Sequence, residues 1–224
     1  MKKEIESNKK IGIRKWISII LIGLAGQFAW SIENMYLNKF IFSFGSSNYN
    51  IMISITVALS AIVACLTTIF IGALSDKLNK RKIFIVLGYI LWGISTALFG
   101  LISVNNNASL FPIVLTSQSA SILVIILDSV MTFFGSSSND AAFNSYVTKE
   151  IDNKNRGKVE AVLSVLPLVS MLIIFIVLNP LVDASHWDYF FFIIGGIVFL
   201  VGILSIFLLP KESKKKDILH NESY

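Results

Sequence analysis

Six long apolar stretches constrain this chain more than any other feature of its sequence. Most of them contain an uninterrupted run without Asp, Glu, Lys or Arg that exceeds the ~20 residues needed to cross the ~30 Å hydrocarbon core of a bilayer as a helix. The chain is therefore predicted to be an all-α integral membrane protein. The predicted transmembrane helices are residues 16–43, 51–75, 83–104, 119–146, 158–181 and 189–210.

The overall composition agrees with a membrane protein. Hydrophobic residues make up 54% of the chain and charged residues 15%, against roughly 25% charged residues in a typical soluble domain. Six spans leave too little chain for a second, soluble domain. Three regions are therefore predicted: a basic N-terminus (1–15), a six-helix bundle (16–210) and a basic tail (211–224).

The 19 Lys and Arg residues lie almost entirely on one side of the predicted topology. They precede the first span, fill the loops after the second and fourth spans, and follow the sixth; only Lys39 falls on the other side. Basic loops face the cytoplasm by the positive-inside rule. We therefore expect a multi-pass protein of the inner or plasma membrane with both termini cytoplasmic. Because topology and contact with the lipid bilayer account for the basic residues, no nucleic-acid partner is predicted.

The six spans divide into two triplets, joined by the uncharged loop 105–118. Two three-helix units joined by one external loop must insert with opposite topology. Such a 3+3 inverted repeat builds each half of many transporters. Any six-span protein divides in this way, however, so the triplets alone do not identify a transporter.

Polar side chains cluster on one face of the first span. At about 100° per residue, Gln27, Ser31 and Asn34 share a face, with Trp30 beside them. These groups would suit a sugar-like solute, because they offer hydrogen bonds to hydroxyls and an aromatic face to C–H edges. The alternative is that they only bond to neighbouring helices. Glu33 lies about 120° from Gln27 and would serve either a cavity or a helix contact.

The fourth span carries two acids and a run of small or polar residues. Asp128 and Asn139 fall on one stripe of the helix, and Asp140 falls on the adjacent one. An ionisable group at membrane depth is costly unless it faces a cavity or a partner. Both acids are therefore candidates to bind a proton, a sodium ion or substrate hydroxyls. The alternative is a structural carboxylate bonded to the backbone or to an arginine.

Two short loops on the basic side carry charges in a pattern that suits a gate. In the first, the Asp76 carboxylate could interact with a helix terminus while the bases after it pair with acids elsewhere. In the second, Arg156 and Glu160 are four residues apart and could pair locally or across a gate. Solvated loops that only set the topology are the alternative. The candidate gate residues are Gly72, Asp76, Lys80, Arg81, Arg156 and Glu160.

These segments, taken in order, resemble the major facilitator superfamily. Residues 72–82 (Gly-x-Leu-x-Asp-Lys-x-x-Lys-Arg-Lys) are similar to the superfamily's loop signature between helices two and three, with Asn79 where glycine is usual. Residues 26–30 (Gly-Gln-Phe-Ala-Trp) resemble the first helix of the sucrose:proton symporter-like branch. Residues 139–157 resemble the fourth helix and following loop of glycoside–pentoside–hexuronide:cation symporters, with Phe143 where small residues are usual.

The resemblance implies alternating-access transport of a small sugar-like solute together with a coupling cation, at a site between two six-helix halves. Asp140 matches the family's acidic residue of helix four near sugar and cation. Gln27 matches a helix-one position that is acidic in some members, which leaves proton coupling or a different ligand open. Asp76, Lys80 and Arg81 match the cytoplasmic gate.

The chain has six helices where family members have twelve. We therefore expect a truncated or split transporter that pairs with a second six-helix half or with another copy. The alternative is an inactive remnant or a membrane scaffold subunit. An intramembrane enzyme is not expected, because His186 and His220, the two histidines, lie away from the buried acids. The single Cys65 belongs to no cluster with metal-ligand spacing, so no metal or cofactor is predicted.

Overall fold

A computed structural model describes residues 11–78, 80–104 and 113–210 as a bundle of six long helices. Each helix is long and apolar enough to cross a membrane, which confirms the prediction of an all-α protein with six transmembrane helices. The start of the basic N-terminus, Asn79, most of the loop between the triplets and the basic tail lie outside the described residues. The helices are α1 (Ile13–Ser43), α2 (Tyr49–Leu78), α3 (Arg81–Leu101), α4 (Ser117–Glu150), α5 (Asn153–Asp183) and α6 (Trp187–Leu208).

Several of these helices depart locally from α-helical geometry. The last turn of α3, Phe99–Leu101, is a 3₁₀-helix. Two short strands, β1 (Ile102–Ser103) and β2 (Ile113–Val114), pair in parallel between α3 and α4. Wider π-helical turns interrupt three of the helices, a feature often found at functional sites. They are Ile32–Tyr36 in α1, Ser136–Phe143 in α4 and Ile174–Leu178 in α5.

Local sequence explains where some of the helices end. After α1, Gly45 has φ +67°, a left-handed conformation that glycine adopts at low cost just past a helix. Its amide donates to the carbonyl of Phe42 at 3.1 Å. Before α4, the hydroxyl of Thr116 accepts from the amide of Ser119 at 3.3 Å, as an N-cap side chain does.

A close backbone-to-backbone contact joins α3 to α6. Glycines face each other there: a Cβ atom on Gly195 would lie 2.7 Å from the carbonyl oxygen of Gly93 and 2.7 Å from the amide nitrogen of Ala97. Small residues let two membrane helices approach until their backbones touch, which increases van der Waals contact where lipid offers no hydrophobic driving force. The α3–α6 pair therefore depends on the absence of side chains at these positions.

Aromatic side chains fill the core at the end of the bundle where α1 finishes. The ring of Phe40 lies 4.7–4.9 Å, centroid to centroid, from the rings of Phe44, Trp187 and Phe191. Phe99 of α3 stacks on Phe191 at 5.3 Å. Such tilted and offset pairs are the favoured geometries for aromatic rings, so this cluster holds α1, α3 and α6 together.

Basic side chains tie the helices together at the opposite end, here called the basic end, which holds Arg14, Lys15, Arg81, Lys82 and Lys149. The guanidinium of Arg14 donates to the carbonyl of Phe207. Lys82 donates to the carbonyls of Ile206 and Leu209 at 2.6 Å. These carbonyls belong to the end of α6, where cations satisfy groups that lack a helical partner. Lys15 of α1 also pairs with Glu150 of α4 at 3.1 Å.

Two helices contribute little to the core and expose broad apolar faces. The fully buried side chains of α2 are all small hydroxyl residues, and they form one stripe: Thr56, Ser60, Thr67 and Ser75. The large apolar side chains of α2 lie outside it, as with Phe70, which is 68% exposed. In α5, Ile176 is 69% exposed. Faces of this kind must lie against lipid or against another apolar surface.

The α3–α6 contact leads to a testable prediction. Gly195→Ala should lower the free energy of unfolding by roughly 1–3 kcal/mol, the usual penalty for overpacking a tight contact. The matched control is Gly196→Ala, where an added Cβ would meet nothing within 4 Å, so its stability should be unchanged or slightly raised. Thermal unfolding of the purified protein in detergent measures both, and equal effects of the two substitutions would contradict the described contact.

Candidate functional site

A polar cavity of about 230 Å³ opens between α1, α4 and α5. Four of the residues predicted to bind substrate or cation line it together: Gln27 and Trp30 from α1, and Asn139 and Asp140 from α4. The structure therefore brings the central part of the predicted site into one place. The remaining lining residues are Gly23, Phe143, Asn144, Leu163 and Leu166.

A chain of hydrogen bonds connects the protein core to the carboxylate in this cavity. The hydroxyl of Tyr89, which is fully buried in α3, lies 2.9 Å from both the carbonyl of Ile22 and Oδ1 of Asn139. The Asn139 amide in turn donates to Oδ1 of Asp140 at 3.1 Å. Asp140 itself is half-buried. Its carboxylate is therefore oriented from one side and open to the cavity on the other.

Gly26 allows α1 to approach this chain of hydrogen bonds. A Cβ atom at this position would lie 2.7 Å from Oδ1 of Asn139 and 2.8 Å from the Tyr89 hydroxyl. Both distances are shorter than real Cβ contacts, so any larger residue would displace one of the two polar groups. Tyr89 was not among the residues predicted from sequence, because a single tyrosine in an apolar span gives no signal of a polar partner.

The indole ring of Trp30 is held in place by packing behind the cavity. It lies 5.1 Å from the ring of Trp92 in an edge-to-face arrangement. Gly135 leaves room for both rings, since a Cβ there would lie 2.8 Å from Trp92 and 3.2 Å from Trp30. A ring fixed in this way presents a rigid apolar surface beside the polar groups of the cavity.

Two predicted site residues of α1 lie elsewhere. Ser31 is buried, donates to the Gln27 carbonyl at 2.7 Å, and lies 3.4 Å from the hydroxyl of Ser170 in α5. Asn34 is exposed and donates to the Trp30 carbonyl at 2.9 Å. The π-helical stretch that begins at Ile32 changes the turn, so Asn34 no longer follows the face that a regular α-helix predicts. In this structure Ser31 and Asn34 therefore bond to the backbone of α1, and Ser31 also contacts a neighbouring helix.

Two further acids, Asp128 and Glu33, lie outside the residues that line the cavity. Asp128 is fully buried between α4 and α2, where the hydroxyl of Ser60 contacts its Oδ2. It precedes Asp140 by twelve residues, about 18 Å along a helix, and does not line the cavity. Glu33 of α1 is half-buried and accepts a hydrogen bond from Thr132 of α4 at 3.0 Å, so it serves a helix contact in this structure.

The predicted gate is partly assembled at the basic end. Asp76 at the end of α2 pairs with Arg81 at the start of α3. Arg81 is buried and also donates to the Ser145 hydroxyl of α4 at 2.7 Å, and Ser145 donates to Asp76 at 3.1 Å. Lys149 lies 3.8 Å from Asp76. This ion-pair cluster, made of Asp76, Arg81, Ser145 and Lys149, joins α2, α3 and α4.

The other gate candidates lie outside the ion-pair cluster. Gly72 packs near Ala141, with 3.9 Å between a built Cβ and the alanine side chain, and Lys80 is exposed. Arg156 donates to the Thr148 carbonyl at 2.6 Å, and within the described part of the chain no ion pair joins it to Glu160. From the first turn of α5, Arg156 reaches back to a carbonyl near the end of α4, where a cation is favoured.

The described ranges contain no group of three or more His, Cys, Asp or Glu side chains that could hold a metal ion. Cys65 is exposed on α2. His186 lies in the turn between α5 and α6, with its ring 5.7 Å from that of Tyr189. The polar side chains that line the cavity are one carboxylate and three amides, with one indole ring beside them.

Comparison with known proteins gives one match. The family model described as Major Facilitator Superfamily matches residues 16–222, a range that includes every candidate site and gate residue and all but the first three residues of α1. No curated protein and no solved structure shows a significant match to the chain.

The ion-pair cluster leads to a testable prediction. Asp76→Asn should lower the free energy of unfolding by about 1–3 kcal/mol, because the buried guanidinium of Arg81 loses a charged acceptor. Lys77→Gln, at the neighbouring exposed position, is the matched control and should change it little. Thermal unfolding in detergent compares the two variants. A loss for Lys77→Gln as large as that for Asp76→Asn would contradict a specific role for the cluster.

Proposed function

Because the chain belongs to the major facilitator superfamily, whose members are membrane transporters, we propose that it forms one six-helix half of a secondary transporter for a sugar-like solute. In this proposal a proton moves with the solute, and the chain works by alternating access with a second six-helix bundle. The observation that carries the proposal is the Asp140 carboxylate in a polar cavity between transmembrane helices.

The composition of the cavity supports a small hydroxyl-rich solute. Gln27, Asn139 and Asp140 supply hydrogen-bond donors and acceptors, and Trp30 supplies an aromatic face. The cavity is smaller than the ~300–1,000 Å³ of pockets for drug-sized ligands, which favours a small solute. One wall is open for a companion bundle to complete.

Asp140 is the proposed link between proton and solute. An ionised carboxylate only accepts hydrogen bonds, whereas a protonated one also donates one. Binding a proton would therefore change which solute hydroxyls Asp140 can hold. The Tyr89–Asn139 hydrogen bonds keep the side chain in position. Asp140 is the one acid among the residues that line the cavity, with the neutral Gln27 beside it, which fits a single exchangeable proton.

The exposed faces of α2 and α5 support pairing with another bundle. Both faces are apolar and broad. We propose that a second six-helix half, or another copy of the chain, packs against them.

The basic end is proposed to face the cytoplasm, because basic loops are retained on that side. The ion-pair cluster would then act in the cytoplasmic gate by fixing the ends of α2, α3 and α4 relative to one another. The exposed Lys80 and Glu160 would be available to meet charges on the companion bundle.

The proposal predicts that Asp140→Asn abolishes proton-coupled uptake. Asparagine keeps the shape of the side chain but cannot carry a proton between two states, so uptake driven by a proton gradient should fall at least about tenfold, equivalent to roughly 1.4 kcal/mol. The measurement is radiolabelled sugar uptake into vesicles that contain the chain with its companion.

Asp152→Asn is the matched control for this experiment, because Asp152 is exposed at the start of α5 and lies outside the cavity. It should transport like the unaltered protein. Coupled uptake by Asp140→Asn at the unaltered rate would remove Asp140 from the mechanism. Failure of the folded, unaltered chain to transport with any companion would favour a scaffold or remnant.

The proposed pairing predicts cross-linking from Cys65, the single cysteine. A photoactivated benzophenone–maleimide attached to this exposed side chain of α2 should form an adduct with a companion bundle or a second copy in native membranes. Mass spectrometry identifies the adduct, and Cys65→Ser controls for labelling elsewhere. Adducts with lipid alone would contradict pairing through this face.

A further inference from the structure

The carboxyl group of Asp128 lies in a part of the bundle that the solute cavity does not reach. Asp128 has no exposed surface, and Ser60 of α2, which contacts it, is 3% exposed, as is Thr56 one turn before Ser60. Thr132, one turn further along α4, is also fully buried. The carboxyl group therefore lies in a dry contact between α2 and α4.

The hydroxyl group of Ser60 has one proton but contacts two hydrogen-bond acceptors. Its hydroxyl lies 2.9 Å from the carbonyl of Thr56 and also contacts Oδ2 of Asp128. The carbonyl of Thr56 can only accept, and so can an ionised carboxylate, so an ionised Asp128 would leave two acceptors sharing the single Ser60 proton. A neutral carboxyl group supplies the second proton, and both contacts of the Ser60 hydroxyl are then hydrogen bonds.

The surroundings of the second carboxyl oxygen agree with this count. Among the described residues, Oδ1 of Asp128 has no hydrogen-bond partner. An ionised carboxylate would place negative charge on this unpartnered oxygen, which is strongly unfavourable in a dry interior. A neutral carboxyl group carries no such charge.

The charged groups that face Asp128 do not offset a negative charge. The nearest on α1 is Glu33, itself acidic, which bonds to Thr132. On α4 the next is Asp140, about 18 Å along the helix. The charged residues of α2 and α3 lie near the basic end, where Asp76 is sixteen positions, or about 24 Å, beyond Ser60. Within the described part of the chain, no Lys or Arg pairs with Asp128.

We propose that the Asp128 carboxyl group is a proton-binding site, separate from the solute cavity and occupied in the conformation described. In this state it donates to Ser60 and joins α4 to α2. Releasing the proton would leave a charge in a dry helix contact, so release requires water to enter between α2 and α4. Movement of α2 away from α4 is thereby linked to protonation.

The link between Asp128 protonation and helix movement during transport rests on the proposed function. The protonation of Asp128 in the described conformation does not. Infrared difference spectroscopy tests protonation directly, because a neutral carboxyl group has a C=O stretching band that a carboxylate lacks. The purified full chain in lipid nanodiscs at neutral pH should lose one such band in Asp128→Asn. An unchanged carboxylic band in that variant would overturn the proposal.

Ser60→Ala provides a second variant that leaves the carboxyl group intact. Without its acceptor, the Asp128 band should move to higher frequency, and an unmoved band would overturn the assigned hydrogen bond. Asp140→Asn should retain the Asp128 band, which separates this site from the cavity. The unaltered chain could show the band, and Asp128→Asn lack it, while the unaltered chain transports no solute. In that case the proposed function fails and the protonated site stands.

Discussion

Within the hydrocarbon of a bilayer no water is available, so each polar side chain must find a partner in the bundle or line a cavity. The arrangement of α1, α2, α3 and α4 follows from this requirement. Tyr89 and Asn139 satisfy each other beneath the cavity, and Gly26 gives them room. The hydroxyl stripe of α2 packs against α4, and Arg81 finds its acceptors at the end of both helices. Close packing at glycines, as between α3 and α6, completes the bundle.

The helix α4 combines three different environments along its length. Asp128 lies in a dry contact, Asp140 lies in a cavity, and Ser145 and Lys149 belong to the ion-pair cluster at the basic end. A movement of α4 relative to α2 would affect all three at once. A movement at the proposed solute site can therefore reach the proposed gate through α4 itself.

Much of the fold could be predicted from the sequence, because hydrocarbon thickness sets the length of each helix and uncharged runs reveal it. The cavity residues Gln27 and Asp140 could also be identified, since polar groups at membrane depth seldom face lipid. The position of Asn34 could not, because the helical wheel assumes α-helical turns and α1 changes to π-helical ones at Ile32. The contact of Ser31 with Ser170 of α5 could not be foreseen either, because a helical wheel does not show which neighbouring helix a face meets. The partner of Asp128 could not be foreseen either, since Ser60 is one of several hydroxyl residues in its span.

The π-helical stretch Ser136–Phe143 sets the rotational register of everything that follows it in α4. A π-helical turn holds more residues than an α-helical one, because its hydrogen bonds run from i to i+5, so these wider turns help to decide which side of α4 Ser145 and Lys149 occupy. Substitutions that restored regular α-helical turns here, at the same length, would rotate that side away from Arg81. The wider turns, more than any one side chain of the stretch, are thus what the ion-pair cluster depends on.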